Sequence, residues 1–249
     1  MRSGASFLFG LLIAIQLTDF FSTISAEIRP ESEHIVRIFE QRYRSSKTLE
    51  ATFLERYTEN GQAVRIEAGK AYFRRPGKMR WDYESPEKNL FLVDGKTVWF
   101  YVPVDHTVTR VPTKESDDWR TPLALLTGQM NVSRVCSRVG IATTQKPEKI
   151  DNTVLYCILR GSKTEGSSKA EEQTENSSRT KTVFFEITTN SGELVRILVS
   201  NPGGVEIEFK FANWQFDSLV PESVFHFEVP KGTAIVNGAL PNEYNETKP

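Results

Sequence analysis

Apolar positions along the chain change their period several times. From Glu31 to Lys47, Ile35, Ile38, Phe39 and Tyr43 recur at helical spacing behind Ser32, a residue suited to an N-cap; this predicts a helix with one apolar face. After Thr48 the period falls to two. Leu49, Ala51, Phe53 and Glu55 share one face of a predicted strand, and Val64, Ile66 and Ala68 share a face of the next. Asn60-Gly61 between them is a hairpin turn signal. Met79, Trp81 and Tyr83 then stand opposite Arg80 and Asp82, and a second predicted hairpin runs from Asn89 to Val93, through Asp94-Gly95, and out along Thr97 to Tyr101.

The strand rhythm breaks between Asp117 and Gly128, where acidic residues precede Leu123, Leu125 and Leu126 and a glycine closes the segment; this predicts a short helix. Strands are predicted again over Val132–Val139, Val154–Arg160, Thr182–Thr188, Leu194–Ser200, Val205–Phe211 and Val224–Val229. In the clearest of them Val205, Ile207, Phe209 and Phe211 alternate with Glu206, Glu208 and Lys210, the signature of a sheet with one apolar and one wet face. Residues 161–181 contain no large apolar side chain and cannot join a core. Strand-like sequence flanks them on both sides, so they read as a polar connection inserted into one sheet. The fold class expected is mainly β with a few helices, in one domain over residues 27–249.

The first residues carry the three parts of a secretory signal: Arg2, an apolar run from Phe7 to Leu17, and Ser25-Ala26 at the cleavage end. The competing reading, an uncleaved anchor from Phe7 to Ala26, places Asp19 and several hydroxyls at membrane depth, which is costly. Export implies an oxidising compartment. There Cys136 and Cys157, both in strand-like stretches, are either a bridge between neighbouring strands or two buried thiols.

Charge and motif content remove whole classes of function. With 31 Lys+Arg against 32 Asp+Glu the net charge is −1, which leaves no basic stripe to displace counterions from nucleic acid. There is no GxSxG, P-loop, HExxH or GxGxxG, and His34, His106 and His226 fall on separate predicted elements. Asp82 and Glu84 share a strand face, but some such pairing is nearly unavoidable among 32 acids. No catalytic residue, metal site or cofactor is predicted. Sequons at Asn131, Asn176 and Asn245 leave a secreted eukaryotic protein formally open.

One block is distinctive: Gly69-Lys-Ala-Tyr-Phe-Arg-Arg75-Pro76-Gly77-Lys-Met-Arg80-Trp81-Asp-Tyr83-Glu-Ser-Pro86, followed by Asp94-Gly95-Lys-Thr-Val-Trp99-Phe-Tyr101-Val-Pro103. It resembles the periplasmic outer-membrane lipoprotein carrier family of the LolA type. The Phe39 to Tyr43 helix before Leu49-x-Ala51-x-Phe53, the Pro122-to-Gly128 segment and the closing Phe227-x-Val229-Pro230-Lys-Gly232-Thr233 extend the resemblance over nearly the whole mature chain. Leu54-Glu55 stands where the family usually has Gln after the first-strand Phe, and residues 161–181 look like an addition.

The resemblance implies an unclosed antiparallel β-barrel, a half-barrel with a helical lid over an apolar concave face. It implies a periplasmic, monomeric, non-enzymatic carrier of acylated lipoproteins from the inner to the outer membrane. The implied donor is an inner-membrane ATP-driven lipoprotein-releasing complex, and the recipient an outer-membrane acceptor. Arg75 maps onto the family arginine that latches the lid through hydrogen bonds to lid carbonyls, while Arg74 is expected to face the other side. Phe53, Phe73, Met79, Trp81, Tyr83, Phe91, Trp99, Tyr101, Leu123, Leu126, Phe209 and Phe211 are the candidate lining of the acyl-chain cavity. The residues themselves leave core packing and cavity lining both open for Trp81 and Tyr83. A lining role predicts that Phe209 and Phe211 are partly open to a void, and a solidly filled face with no reachable pocket under the lid counts against transport. Two other readings are a lipid-sensing envelope-stress regulator on the same fold and an exported hydrolase.

Overall fold

The computed structural model describes residues 27–28, 30–115, 123–128, 130–160, 182–201 and 204–238. The expected signal and the polar segment 161–181 lie outside them. One sheet of thirteen strands dominates. In chain order the strands are β1 (Glu27–Ile28), β2 (Thr48–Glu59), β3 (Gln62–Arg74), β4 (Lys78–Ser85), β5 (Leu90–Val93), β6 (Thr97–Val102), β7 (Thr107–Pro112), β8 (Cys136–Ile141), β9 (Asn152–Leu159), β10 (Thr182–Thr188), β11 (Leu194–Asn201), β12 (Val205–Phe216) and β13 (Ala234–Asn237). Their spatial order is β1-β8-β9-β10-β11-β12-β2-β3-β4-β5-β6-β7-β13. The two ends are different strands, so the barrel is not closed. All pairs are antiparallel except β1 with β8 and β13 with β7, which are parallel and terminate the sheet.

Turn chemistry sets the register of the longest hairpin. Asn60 and Gly61 both take positive φ (49° and 79°), the backbone a two-residue β-hairpin turn requires, and β2 pairs β3 from Thr48↔Arg74 to Glu59↔Gln62. That register turns Phe53, Ala71 and Phe73 inward and leaves Val64 and Ile66 on the outer surface, so the shared face of Val64, Ile66 and Ala68 is the wet one. Gly69 marks an inward position without a side chain, and a Cβ there would collide with the Asp82 carbonyl of β4. Trp81 of β4 and Phe209 of β12 have ring centroids 5.3 Å apart although β2 and β3 lie between their strands, a span of about 14 Å on a flat sheet. The sheet therefore curls, and its aromatics converge on the concave side.

Three helices cover that side: α1 (Pro30–Arg44), α2 (Ala124–Thr127) and α3 (Val132–Val135). In α1 the buried residues Ser32, Ile35, Val36, Phe39 and Tyr43 form one stripe. Phe39 meets Phe185, Tyr43 meets Trp214, and the Tyr43 hydroxyl accepts a hydrogen bond from the Leu194 N–H at 2.9 Å. Burial pushes the Tyr43 phenol pKa up, so it stays neutral. One apolar cluster joins these helices to the inner faces of the strands.

Two predicted strands are corrected. Val132–Val139 begins as α3, because the Val132 N–H is taken by the Glu40 carboxylate at 2.7 Å instead of a sheet partner, and only Cys136 onward enters β8. Val224–Val229 is no strand. Glu222–Phe225 forms a 3-10 turn whose carbonyl at Val224 accepts from Arg80. The predicted helix over 117–128 is helical at Ala124–Thr127, and residues 116–122 lie outside the described set. Cys136 and Cys157 are disulfide-bonded, joining neighbours β8 and β9.

Candidate functional site

The site lies where the end of β3 meets the ends of α1 and α2. By strand alternation Phe73 points inward and Arg74 outward, and the next residue, Arg75, reaches the concave rim before Pro76 and Gly77 turn the chain into β4. The carbonyls ending a helix have no partner inside it, and those of α1 and α2 both face this rim. Arg75 satisfies them. Its Nε donates to the Leu126 carbonyl of α2 at 3.1 Å, and its Nη1 donates to the carbonyls of Arg44 and Ser46, at the end of α1, at 2.8 and 2.6 Å. A cation at helix C-termini is also favoured by the helix dipole. Backbone bonds reinforce the seam, from Arg75 N–H to Lys47 carbonyl and from Gly77 N–H to Thr127 carbonyl, each 3.0 Å. Burial lowers the Arg75 pKa from its ordinary value and the Asp217 carboxylate acts in the opposite sense.

A second tie was not foreseen. Glu40 on α1 accepts from the Val132 N–H that starts α3 and pairs with Arg44 of its own helix at 2.7 Å, so α1 is tied to α3 directly and to α2 through Arg75. Nothing in the sequence marks Glu40, an acidic residue on a helix face, as different from its neighbours.

Beneath the helices, Phe53, Phe73, Met79, Trp81, Tyr83, Phe91, Leu123, Leu126, Phe209 and Phe211 belong to one cluster, none more than 6% exposed. Phe53, Phe73, Phe209 and Phe211 surround Trp81 with centroid distances of 4.7–6.1 Å. Phe209 and Phe211, expected to border a void, are instead 0% and 6% exposed, packed on Trp81, Trp214 and each other in the cluster that also holds the lid leucines, an outcome against that expectation. This is a closed, filled arrangement. Glu55 shares the inner face at 1% exposure, its Oε2 accepting from the Tyr83 hydroxyl at 2.7 Å, with Glu67 directly across on β3.

Trp99 and Tyr101 are parted from the rest. They lie on the outer face, packed on Phe227 in a second cluster with Leu90, Leu92 and Phe225. The strand period explains it: β6 turns Val98 inward, so Trp99 and Tyr101 must face out. Arg74 also faces outward, but it is engaged. It donates to the Val220 carbonyl at 3.0 Å and pairs with Glu222, which Lys78 also binds. Residues 218–228 thus form a strap across the outer face. Clefts lined by described residues open on this side, one of about 600 Å³ bordered by Lys96, Trp99, Arg110 and Asn237.

An open half-barrel whose apolar concavity is stoppered by helices tied on with hydrogen bonds is the architecture of a protein that shelters apolar ligands. Residues 44–228 match the family model described as outer membrane lipoprotein carrier protein LolA, and the chain belongs to that family. It is 28% identical over 203 residues to the outer-membrane lipoprotein carrier protein of Chromobacterium violaceum, covering 78% of this chain and 82% of that one. With the carrier protein of Pseudomonas putida the identity is 23% over 232 residues, or 91% and 96% of the two chains. Among solved structures, a LolA superfamily protein from Nitrosomonas europaea superposes with a TM-score of 0.42 at 9% identity, covering 79% of this chain and 97% of that one.

Proposed function

We propose that the protein is a periplasmic, non-enzymatic carrier that holds the acyl chains of lipoproteins on its concave face and moves them from the inner to the outer membrane. A chain of sixteen carbons exposed to water costs about 12 kcal/mol, which forbids unaided crossing of an aqueous compartment. The observation that carries the reading is Arg75: one side chain fastens the ends of two covering helices over an apolar interior, so release of a few hydrogen bonds, with acyl chains taking over the lid's apolar contacts, frees the lid without disturbing the sheet. The filled interior is the unloaded, closed form. On loading, acyl chains take the place of Leu123, Leu125, Leu126 and their neighbours against Trp81, Phe209 and Phe211.

Arg75 is the latch in this reading. Loading draws on an ATP-driven complex in the inner membrane, and unloading runs down an affinity gradient to an outer-membrane acceptor. Native mass spectrometry of the exported protein tests the cargo. Co-purifying acylated protein is the expected result, and a chain free of lipid when lipoprotein is abundant rejects it. Transfer of loaded cargo to outer-membrane vesicles tests the direction.

A further inference from the structure

The Arg75 guanidinium is not fully used by the lid. Its Nε and Nη1 meet three main-chain carbonyls, while its Nη2 is buried and has no hydrogen-bond partner. A guanidinium has five N–H donors, and those on Nη2 are idle in the closed form. Every acceptor it binds is a neutral carbonyl. The carboxylate that acts on it electrostatically, Asp217, has its Oδ1 already accepting the Lys47 N–H at 2.8 Å. A desolvated cation with unmet donors is unfavourable as it stands, and an anionic oxygen would satisfy both charge and geometry, since the planar fork matches carboxylate and phosphate oxygens.

Position supplies the second half of the argument. Arg75 stands at the rim, where α1 and α2 end, and the apolar interior with Leu49, Phe73 and Leu126 begins beside it. An acyl chain that replaces the lid leucines leaves its polar head at this rim. We propose that Arg75 is also a ligand-binding residue, its Nη2 edge taking the anionic oxygen of an acyl lipid head, a carboxylate or a phosphate, once the lid lifts. This rests on the acyl-binding cavity of the carrier reading and adds a ligand class to it, anionic acyl lipids, since the acyl chains of a lipoprotein are held in neutral ester and amide links.

The test uses the exported chain and three probes with one tail, dodecanoate, dodecyl phosphate and methyl dodecanoate, each displacing an apolar fluorophore. The two anions are expected to bind about tenfold more tightly than the ester, the worth of one charge-assisted hydrogen bond. Tighter binding of the phosphate than of the carboxylate, or the reverse, assigns the head. Arg75→Leu is expected to bind all three alike, losing the preference for the anions whatever its weakened lid does to the common affinity, and Arg75→Lys to keep a reduced preference. Equal affinity of the native chain for ester and anions overturns the inference while leaving the carrier reading intact, as does a preference that survives Arg75→Leu. Failure of all three probes to bind overturns both.

Discussion

Replacing Arg75 with leucine preserves bulk and deletes every side-chain donor it brings to the lid seam, leaving the backbone bonds of Arg75 and Gly77. Three carbonyls lose a partner, but not at equal cost. The bond to Arg44 is exposed, so water replaces it, whereas those to Leu126 and Ser46 are partly buried and stay under-satisfied. Each such loss costs about 1 kcal/mol after partial hydration, and the relief of a desolvated cation returns part of it, so the closed state weakens by about 1–2 kcal/mol. Two kcal/mol corresponds to about a 30-fold shift toward the open lid. Cargo should therefore load as before and be retained, because closure no longer competes with it. Two measurements follow: amide exchange at residues 123–135 should accelerate by about that factor, and transfer of a loaded lipoprotein to outer-membrane vesicles should fall. Lys70→Gln, an exposed change on the same strand, is the control. Arg74→Leu is not, because Arg74 holds the outer strap through Val220 and Glu222. Unchanged exchange together with unchanged transfer would refute the latch.

Three other perturbations have definite outcomes. Arg196 lies buried between Glu186 at 2.7 Å and Glu208 at 3.3 Å, so Arg196→Leu removes the cation the two carboxylates share, leaving Glu208 to Arg56 and Glu186 to the neutral donors Glu148 N–H and Asn152, and should cost about 3 kcal/mol in urea unfolding; a loss below about 1 kcal/mol would show that the remaining partners suffice. Replacing Cys136 and Cys157 with serine releases a loop of sequence separation 21 and should lower stability by about 3 kcal/mol, read from the denaturation midpoint with and without reductant. At Asp94 burial acts to raise the pKa, but hydrogen bonds from Trp99, Lys96 and Thr97, with the Lys78 charge, outweigh it and hold the carboxyl below its usual range. Its contribution is therefore full above the ordinary carboxylate pKa and lost as pH falls through the folded value, and an Asp94→Asn variant should show a shallower acid limb in a stability–pH titration.

What the sequence discloses follows from how local each cause is. The Asn60-Gly61 turn, the alternation in β12 and the stripe on α1 are set by neighbours within a few residues, and all three appear in the structure, except that Glu208 on the expected wet face of β12 is buried in ion pairs with Arg56 and Arg196. Arg75 is legible by resemblance and its inward position by alternation. The misread segments depend on distant partners. α3 exists because Glu40, on another helix, caps its first N–H, and 224–229 continues a strap because Arg80 claims the Val224 carbonyl and Arg74 the Val220 carbonyl just before it. Trp99 and Tyr101 look like interior aromatics in isolation. Only the register of β5 with β6 shows that the inward positions belong to Phe91 and Val98. The parallel edge strands β1 and β13 have no pattern of their own to read, since residues of β13 are exposed throughout.

A filled interior and a carrier function are compatible because the lid is built from the same material as the cargo. Leu123, Leu125, Leu126, Met130 and Val132 are all buried against the inner face. At about 1.5–3 kcal/mol each, their burial is worth about 8–15 kcal/mol, the same size as the roughly 12 kcal/mol of a sixteen-carbon chain. Exchanging one for the other is close to neutral. A permanently empty cavity of that shape would bind acyl chains too tightly to surrender them, while a core without a detachable stopper would not bind them at all. The few hydrogen bonds at Arg75 and Glu40 thus act on a nearly balanced equilibrium, and changes of 1–3 kcal/mol there decide whether cargo stays or leaves.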